Sequence, residues 1–223
     1  MEGIKTGFKS FDELTGGLDY KKTYVLFGDK ESGKEQFLYR FVQSALASKD
    51  AVIYVLTSKS YLDLINEFTS RNLNITAYLG NDFKILDDFS RTNSPSMTDN
   101  SYAKILNGPL DLTGLSVALS STVSDFSKDA KTIINIFDNL SNLLMYNNPL
   151  TVYRFLQFIC GKAKLSGVTT IFSVDTGMHS KDIVETIKNL SDAIIDLKLE
   201  NGKRYFKLSG TSKEVLEFKE LDG

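Results

Sequence analysis

Residues Gly28-Asp29-Lys30-Glu31-Ser32-Gly33-Lys34-Glu35 carry the most specific chemistry in this chain, because positions 28 to 34 fit the spacing G-x-x-x-x-G-K. That spacing suits phosphate for physical reasons. Glycines let the backbone curl, its N–H groups turn inward, and the following helix presents a positive N-terminal end. Lys34 would reach the β and γ phosphates of a nucleotide such as ATP. The residue after the lysine is ordinarily Ser or Thr, whose hydroxyl ligates Mg²⁺. Here it is Glu35. With Asp29 and Glu31, the segment holds three carboxylates against two lysines. A triphosphate would enter an anionic cradle, each close like-charge contact costing about 3–4 kcal/mol at an effective dielectric of about 20.

Asp138 is the second anchor. It closes the apolar run Thr132 to Phe137 (TIINIF), and a carboxylate at the C-terminal end of such a strand is placed to hold the water shell of Mg²⁺. Two readings of Glu35 follow. It ligates Mg²⁺ directly beside Asp138, or it merely suits the first turn of a helix. In the second reading Lys34 is neutralised by Glu31, Glu35 or Asp138.

These groups need a strand before the loop and a helix after it. Thr23 to Phe27 (TYVLF) is a short β-branched and aromatic run that predicts a buried strand. Glu35 to Ala47 places Phe37, Leu38, Phe41, Val42 and Leu46 on one helical face. Ala51 to Leu56 (AVIYVL) predicts the next strand. The strand–loop–helix–strand unit is the local signature of a parallel α/β sheet. Further elements are a short opening helix at FDELT, a helix over 62–71, a strand over 84–86, and a helix starting near Leu110 and running toward Asp129. A helix over 150–165 follows Pro149, then come a strand over 168–174 and a helix over 180–190. Ala193 to Leu199, Arg204 to Ser209 and Val215 to Leu221 predict strands joined at Asn201-Gly202 and Ser209-Gly210. The fold class is therefore α/β, with a mainly parallel central sheet flanked by helices and a C-terminal antiparallel meander. With no internal repeat, residues 1–223 read as one domain. The polar segment over 89–101 reads as a loop excursion at a functional edge or as a mobile segment.

Composition sets outer limits. The chain has 223 residues, 42% hydrophobic and 24% charged, enough for a sizeable core. A net charge of −2 argues against a strongly basic nucleic-acid protein. The single cysteine, Cys160, lies in an apolar helical run and reads as a core residue. The lack of a disulfide framework, a signal core or a long apolar run predicts a cytoplasmic protein without membrane insertion. His179 reads as a surface-loop residue. Lys59, Arg71, Lys162, Lys164, Lys203, Arg204 and Lys207 read as scattered solvated cations, and Tyr54, Tyr61 and Tyr78 as packing residues rather than base-stacking platforms.

Taken together, these motifs resemble the KaiC/RadA-like branch of the RecA superfamily of P-loop ATPases, archaeal in type. That branch includes the circadian-clock ATPase, archaeal recombinase paralogues and the archaellum motor regulator. Ile4 to Gly17 (IKTGFKSFDELTGG) is similar to the family's opening T-G-x-x-x-L-D-E-L-x-G-G. Phe137 to Ser141 (FDNLS) resembles its Walker B run I-D-S-L-S, and Ser191 to Leu197 (SDAIIDL) its strand before the closing meander. The resemblance implies a RecA core and assemblies with ATP between subunits.

The departures fall on the phosphoryl-transfer parts. Where the family ends its second strand in a Glu pair that positions water, this chain has Ser58 and Lys59. Where the family has K-x-R-G reaching a neighbour's γ-phosphate, Phe206 to Gly210 (FKLSG) keeps Lys207 and loses the arginine. Each such element is worth several orders of magnitude in rate or binding. The resemblance, with its departures, implies a degenerate ATPase with weak or absent ATP and Mg²⁺ binding. Such a protein would act as a regulatory or scaffolding partner of a paralogous RecA-like ATPase, or as a homo-oligomer. The alternatives are a slow Mg²⁺-dependent ATPase and a recombinase-paralogue-like protein that binds single-stranded DNA.

Overall fold

The apolar runs become strands buried on both faces, as a parallel sheet covered by helices requires. The computed structural model describes residues 3–94, 96–128 and 132–222. Every residue of β1 (Thr23–Gly28), β2 (Ala51–Leu56) and β5 (Ile133–Asp138) is buried. With β3 (Phe83–Asp87), β4 (Ala103–Ile105), β6 (Thr169–Asp175), β7 (Ala193–Glu200), β8 (Lys203–Ser209) and β9 (Val215–Glu220), they build one sheet ordered β4-β3-β2-β5-β6-β1-β7-β8-β9. Pairing is parallel from β4 to β7 and antiparallel across β7, β8 and β9. The β7–β8 turn uses Asn201 and Gly202, both at positive φ (51° and 75°), as the favoured two-residue hairpin turn demands.

Two apolar layers sandwich the sheet. One packs α1 (Lys9–Thr15), α2 (Lys34–Ala47) and α3 (Tyr61–Ser70) through Phe11, Phe37, Phe41, Leu64 and Phe68. On the other face lie α5 (Leu112–Phe126), α6 (Leu140–Tyr146), α7 (Pro149–Ser166) and α8 (Lys181–Leu190), with Leu115, Leu143, Phe155, Leu156 and Ile187 inward. Removing one large ring from such a layer, as in Phe137→Ala, costs about 3–5 kcal/mol. Among the described residues no helix is long and apolar enough to cross a membrane.

Two features differ from the sequence reading, and a third lies partly outside the described residues. The polar segment over 89–101 contains a short helix, α4 (Ser90–Asn93), and leads into β4. That strand is held by Asp99 Oδ1 accepting from the Ile105 N–H (2.8 Å) and Asn100 Oδ1 accepting from the Ala103 N–H (2.8 Å). Three residues are too few to show periodicity. Helix α6 was not foreseen either. It is seven residues long, and Asn139 Oδ1 caps it through the Ser141 N–H at 2.7 Å. Finally, α5 ends at Phe126, and the Asp129 toward which it was expected to run lies outside the described residues.

The strand order decides where chemistry can occur. The C-terminal ends of β2, β5, β6 and β1 stand side by side, with Leu56 in register with Asp138 and Gly28 with Asp175. In open α/β sheets that edge is where ligands bind.

Candidate functional site: the phosphate-type loop and its carboxylates

The loop after β1 turns into α2 at Gly33, which sits in the left-handed region (φ 84°). Within the loop Asp29 Oδ1 accepts hydrogen bonds from the N–H groups of Glu31 (3.0 Å) and Ser32 (2.7 Å). The Ser32 hydroxyl donates to the Asp29 carbonyl at 2.7 Å, and Ser32 is fully buried. Amides of the type that hold phosphate are thus occupied by a carboxylate of their own loop. Gly28 has to be glycine here, because a Cβ would collide with the Ser32 hydroxyl. A Cβ on Gly33 would collide with Arg204 of β8, whose side chain lies against the loop and whose Nε is buried without a hydrogen-bond partner.

Lys34 is buried at the start of α2, and its ammonium donates to Asp175 Oδ1. The other oxygen of that carboxylate accepts from Asn139 Nδ2, and the Asp175 N–H donates to Ser141 Oγ at 2.9 Å. The sequence reading gave Lys34 to Glu31, Glu35 or Asp138; its partner is Asp175. The strand TTIFSVD ends in an aspartate just as TIINIFD does, so the residue type was visible. Its neighbourhood was not, because adjacency of β6 and β1 is a property of the sheet order.

Asp138 is 3% exposed and accepts from the Tyr54 hydroxyl at 2.9 Å. Burial raises its pKa, opposed chiefly by the charge of Lys59 and the Tyr54 hydrogen bond. Lys59, just past β2, donates to Glu35 Oε1, Glu67 Oε2 and the Tyr39 hydroxyl, each at 2.9 Å. Burial alone would lower the Lys59 pKa. The charge of Asp138 and the bonds to Glu67 and Glu35 outweigh it, and the ammonium titrates above its ordinary range. Tyr39 in turn donates to Glu67, and burial pushes both Tyr39 and Tyr54 well above ordinary phenols. One lysine therefore serves a ring of acids at the position where the sequence reading looked for a water-positioning carboxylate.

Both clusters open on one cleft of about 440 Å³, lined by Asp29, Lys30, Lys34, Glu35, Ser58, Asp138 and Asp175 among others. All the sequence-predicted site residues thus lie in or beside one place, and Asp175, Asn139, Glu67, Tyr39 and Arg204 join them.

Residues 26–197 match a family described as one of unknown function, DUF7504. The chain belongs to that family. No curated protein matches it in sequence. Two solved structures share the fold of this DUF7504 chain. One is a KaiC-like protein from the hyperthermophilic archaeon Pyrococcus horikoshii OT3, 19% identical, with a TM-score of 0.72 over 98% of this chain and 92% of that one. The other is an uncharacterized protein from Pyrococcus horikoshii in complex with an unknown peptide, 16% identical, with a TM-score of 0.75 over 99% of this chain and 100% of that one. At those identities the shared property is the fold: a KaiC-like, RecA-type sheet with helices on both faces and an antiparallel meander at the C-terminus.

The remaining singled-out residues of the DUF7504 chain occupy separate settings. Arg71 joins Lys59 over the ring of Tyr39. Lys203 pairs with Glu220 at 2.8 Å and Lys207 with Asp196 at 3.5 Å, while Lys162 and Lys164 lie on α7. Tyr54 and Tyr61 are buried, and Tyr78 packs against the same layer. His179 follows the Asp175 turn; its Nε2 is buried without a partner, and burial lowers its pKa against the pull of Asp175. Cys160 packs beside the apolar layer of α7, and burial pushes its thiol up to about 11. Among the described residues, no three His, Cys, Asp or Glu side chains are set together to hold a metal.

Proposed function

We propose that this chain is a RecA-superfamily domain whose nucleotide site has been rewired for internal pairing, leaving weak or absent ATP binding and no efficient hydrolysis. It acts instead as a regulatory or scaffolding partner of an active paralogue or of an assembly. The observation that carries this reading is Lys59, which spans Glu35, Glu67 and Tyr39 beside the buried Asp138. A magnesium ion placed there would have to displace a resident ammonium. A triphosphate would have to displace the Asp29 carboxylate from the loop amides and Asp175 from Lys34. The residues present therefore do not fit Mg·ATP without rearranging two charge clusters, one of them largely buried, where each lost pair leaves a charge that is costly to strand. A protein-partner role also draws support from the similar archaeal structure in complex with an unknown peptide.

Thermal unfolding with and without millimolar Mg·ATP tests the reading, with Lys34→Ala as the control. No rise in Tm is expected. A rise in stability of about 2.7 kcal/mol that disappears in Lys34→Ala, what a ligand at about 100 times its Kd adds, would overturn it. So would ATP turnover that is abolished by Asp138→Asn.

A further inference from the structure

Helices α5 and α7 cover the same face of the sheet and leave a trough between them. Two adjoining hollows of about 410 and 810 Å³ occupy it, sharing Ser120 and Lys162 in their walls. Large apolar side chains face solvent along it: Val117 is 64% exposed and Phe158 49%. Leu165, at the far end, is 91% exposed. Isolated exposed apolar residues are ordinary, but a contiguous set along one groove marks an interaction surface.

The charge of the trough is one-sided. Among the described residues, Arg154 and Lys162 line it and no acidic residue does. Elsewhere on this chain of net charge −2 some lysines pair with acids, as in Lys188–Glu185, Lys203–Glu220 and Lys207–Asp196. Among the described residues neither Arg154 nor Lys162 has an acidic partner. Lys162 donates only to Ser120 Oγ at 3.1 Å and lies 4.7 Å from the centre of the Phe158 ring. In the wall of the smaller hollow, Asn135 is 1% exposed and its Oδ1 has no hydrogen-bond partner among the described residues. A buried acceptor left unpaired is costly unless a bound group supplies the donor.

We propose that this trough binds an acidic, amphipathic helix from a protein partner, an inference that rests on the partner-dependent role set out above. The apolar side chains of such a helix at i, i+3 or i+4, and i+7 would lie between Val117 and Phe158, in the helix-in-groove mode. Its flanking carboxylates would meet Arg154 and Lys162. The 15 residues of α5 span about 22 Å, room for about four helical turns. Nucleic acid fits less well, because phosphate tracking calls for a longer run of cations and fewer apolar walls.

The test places a benzophenone photo-crosslinker at Val117 of the full chain, irradiates it in an extract of its own cells, and sequences the crosslinked segment. An acidic amphipathic segment is expected. Its yield should fall about tenfold in Arg154→Glu/Lys162→Glu and return when the segment's own acids are changed to lysine. Crosslinking to nucleic acid, to a second copy of the chain, to a segment without acids, or to nothing would overturn the proposal, as would a yield indifferent to the charge reversal. The nucleotide reading fails separately. ATP-dependent stabilisation with the crosslink intact would sink the degenerate-site reading and leave the trough standing.

Discussion

The Lys59 ammonium lies 2.9 Å from Glu35 Oε1, bridging the residue after the loop lysine to the strand end where a catalytic carboxylate was expected. It is the principal cation holding the Asp138 carboxylate down. Replacing it strands Glu35, Glu67 and Asp138 together, and Lys59→Met is expected to lose about 1–3 kcal/mol, less than a fully buried pair because Glu35 is half exposed. The sign of the pH dependence follows. Burial already raises the Asp138 pKa, and without Lys59 it rises further. A carboxyl with a raised folded pKa stabilises the fold while protonated, and that contribution is lost as pH rises through the folded value. Urea melts of Lys59→Met should therefore show stability climbing as pH falls, relative to the parent chain. A flat difference between the two proteins would contradict this.

The Lys34–Asp175 pair makes the opposite kind of prediction, in which damage to the fold opens the loop to phosphate. Asp175→Asn keeps an oxygen near Lys34 and removes the charge that occupies it. The variant is expected to be less stable by about 3 kcal/mol, because a buried ammonium loses its counter-ion. It should also bind ATP or inorganic triphosphate at least about tenfold more tightly than the parent chain, since Lys34 becomes free to meet phosphate. Titration calorimetry with each ligand reads the second effect independently of the first. Equal affinities in the two proteins would mean that Asp175 does not gate the loop.

Much of the fold was legible because its signals are local. TYVLF, AVIYVL and TIINIF are apolar at consecutive positions, and strands buried on both faces need that. The meander was marked by Asn201-Gly202, where two positive φ angles demand such residues. The loop was legible as a motif, and its position between β1 and α2 is as read. What the sequence does not carry is adjacency. Nothing local indicates that Asp175 stands in register with Gly28, or that Glu67, one helix further on, reaches Lys59. The chain ends illustrate the same limit. Asp222 accepts from the Lys9 and Ser10 N–H groups (3.0 and 2.9 Å), so the last described residue caps the first helix across the whole length of sequence.

Asp88 supplies a last prediction, away from the cleft. It follows β3, is fully buried, and neither carboxylate oxygen has a hydrogen-bond partner. Burial, reinforced by the charges of Asp111 and Asp87, raises its pKa from 3.8 to about 7; the nearby Gly108 N–H eases the charge without forming a well-shaped hydrogen bond. Below the unfolded value both states are protonated and the shift has no effect on stability's slope. Between the two values the folded chain holds a proton that the unfolded chain has lost, so stability declines steadily as pH rises toward 7. At 1.36 kcal/mol per unit the full cost is about 4 kcal/mol once the group is ionised. Asp88→Asn keeps the shape and removes the ionisation. It should be more stable than the parent at pH 8 by an amount of that order, and the two should converge at pH 4. Chemical denaturation at the two pH values measures both, and an Asn variant no more stable at pH 8 than at pH 4 would show that Asp88 is not ionising within the core.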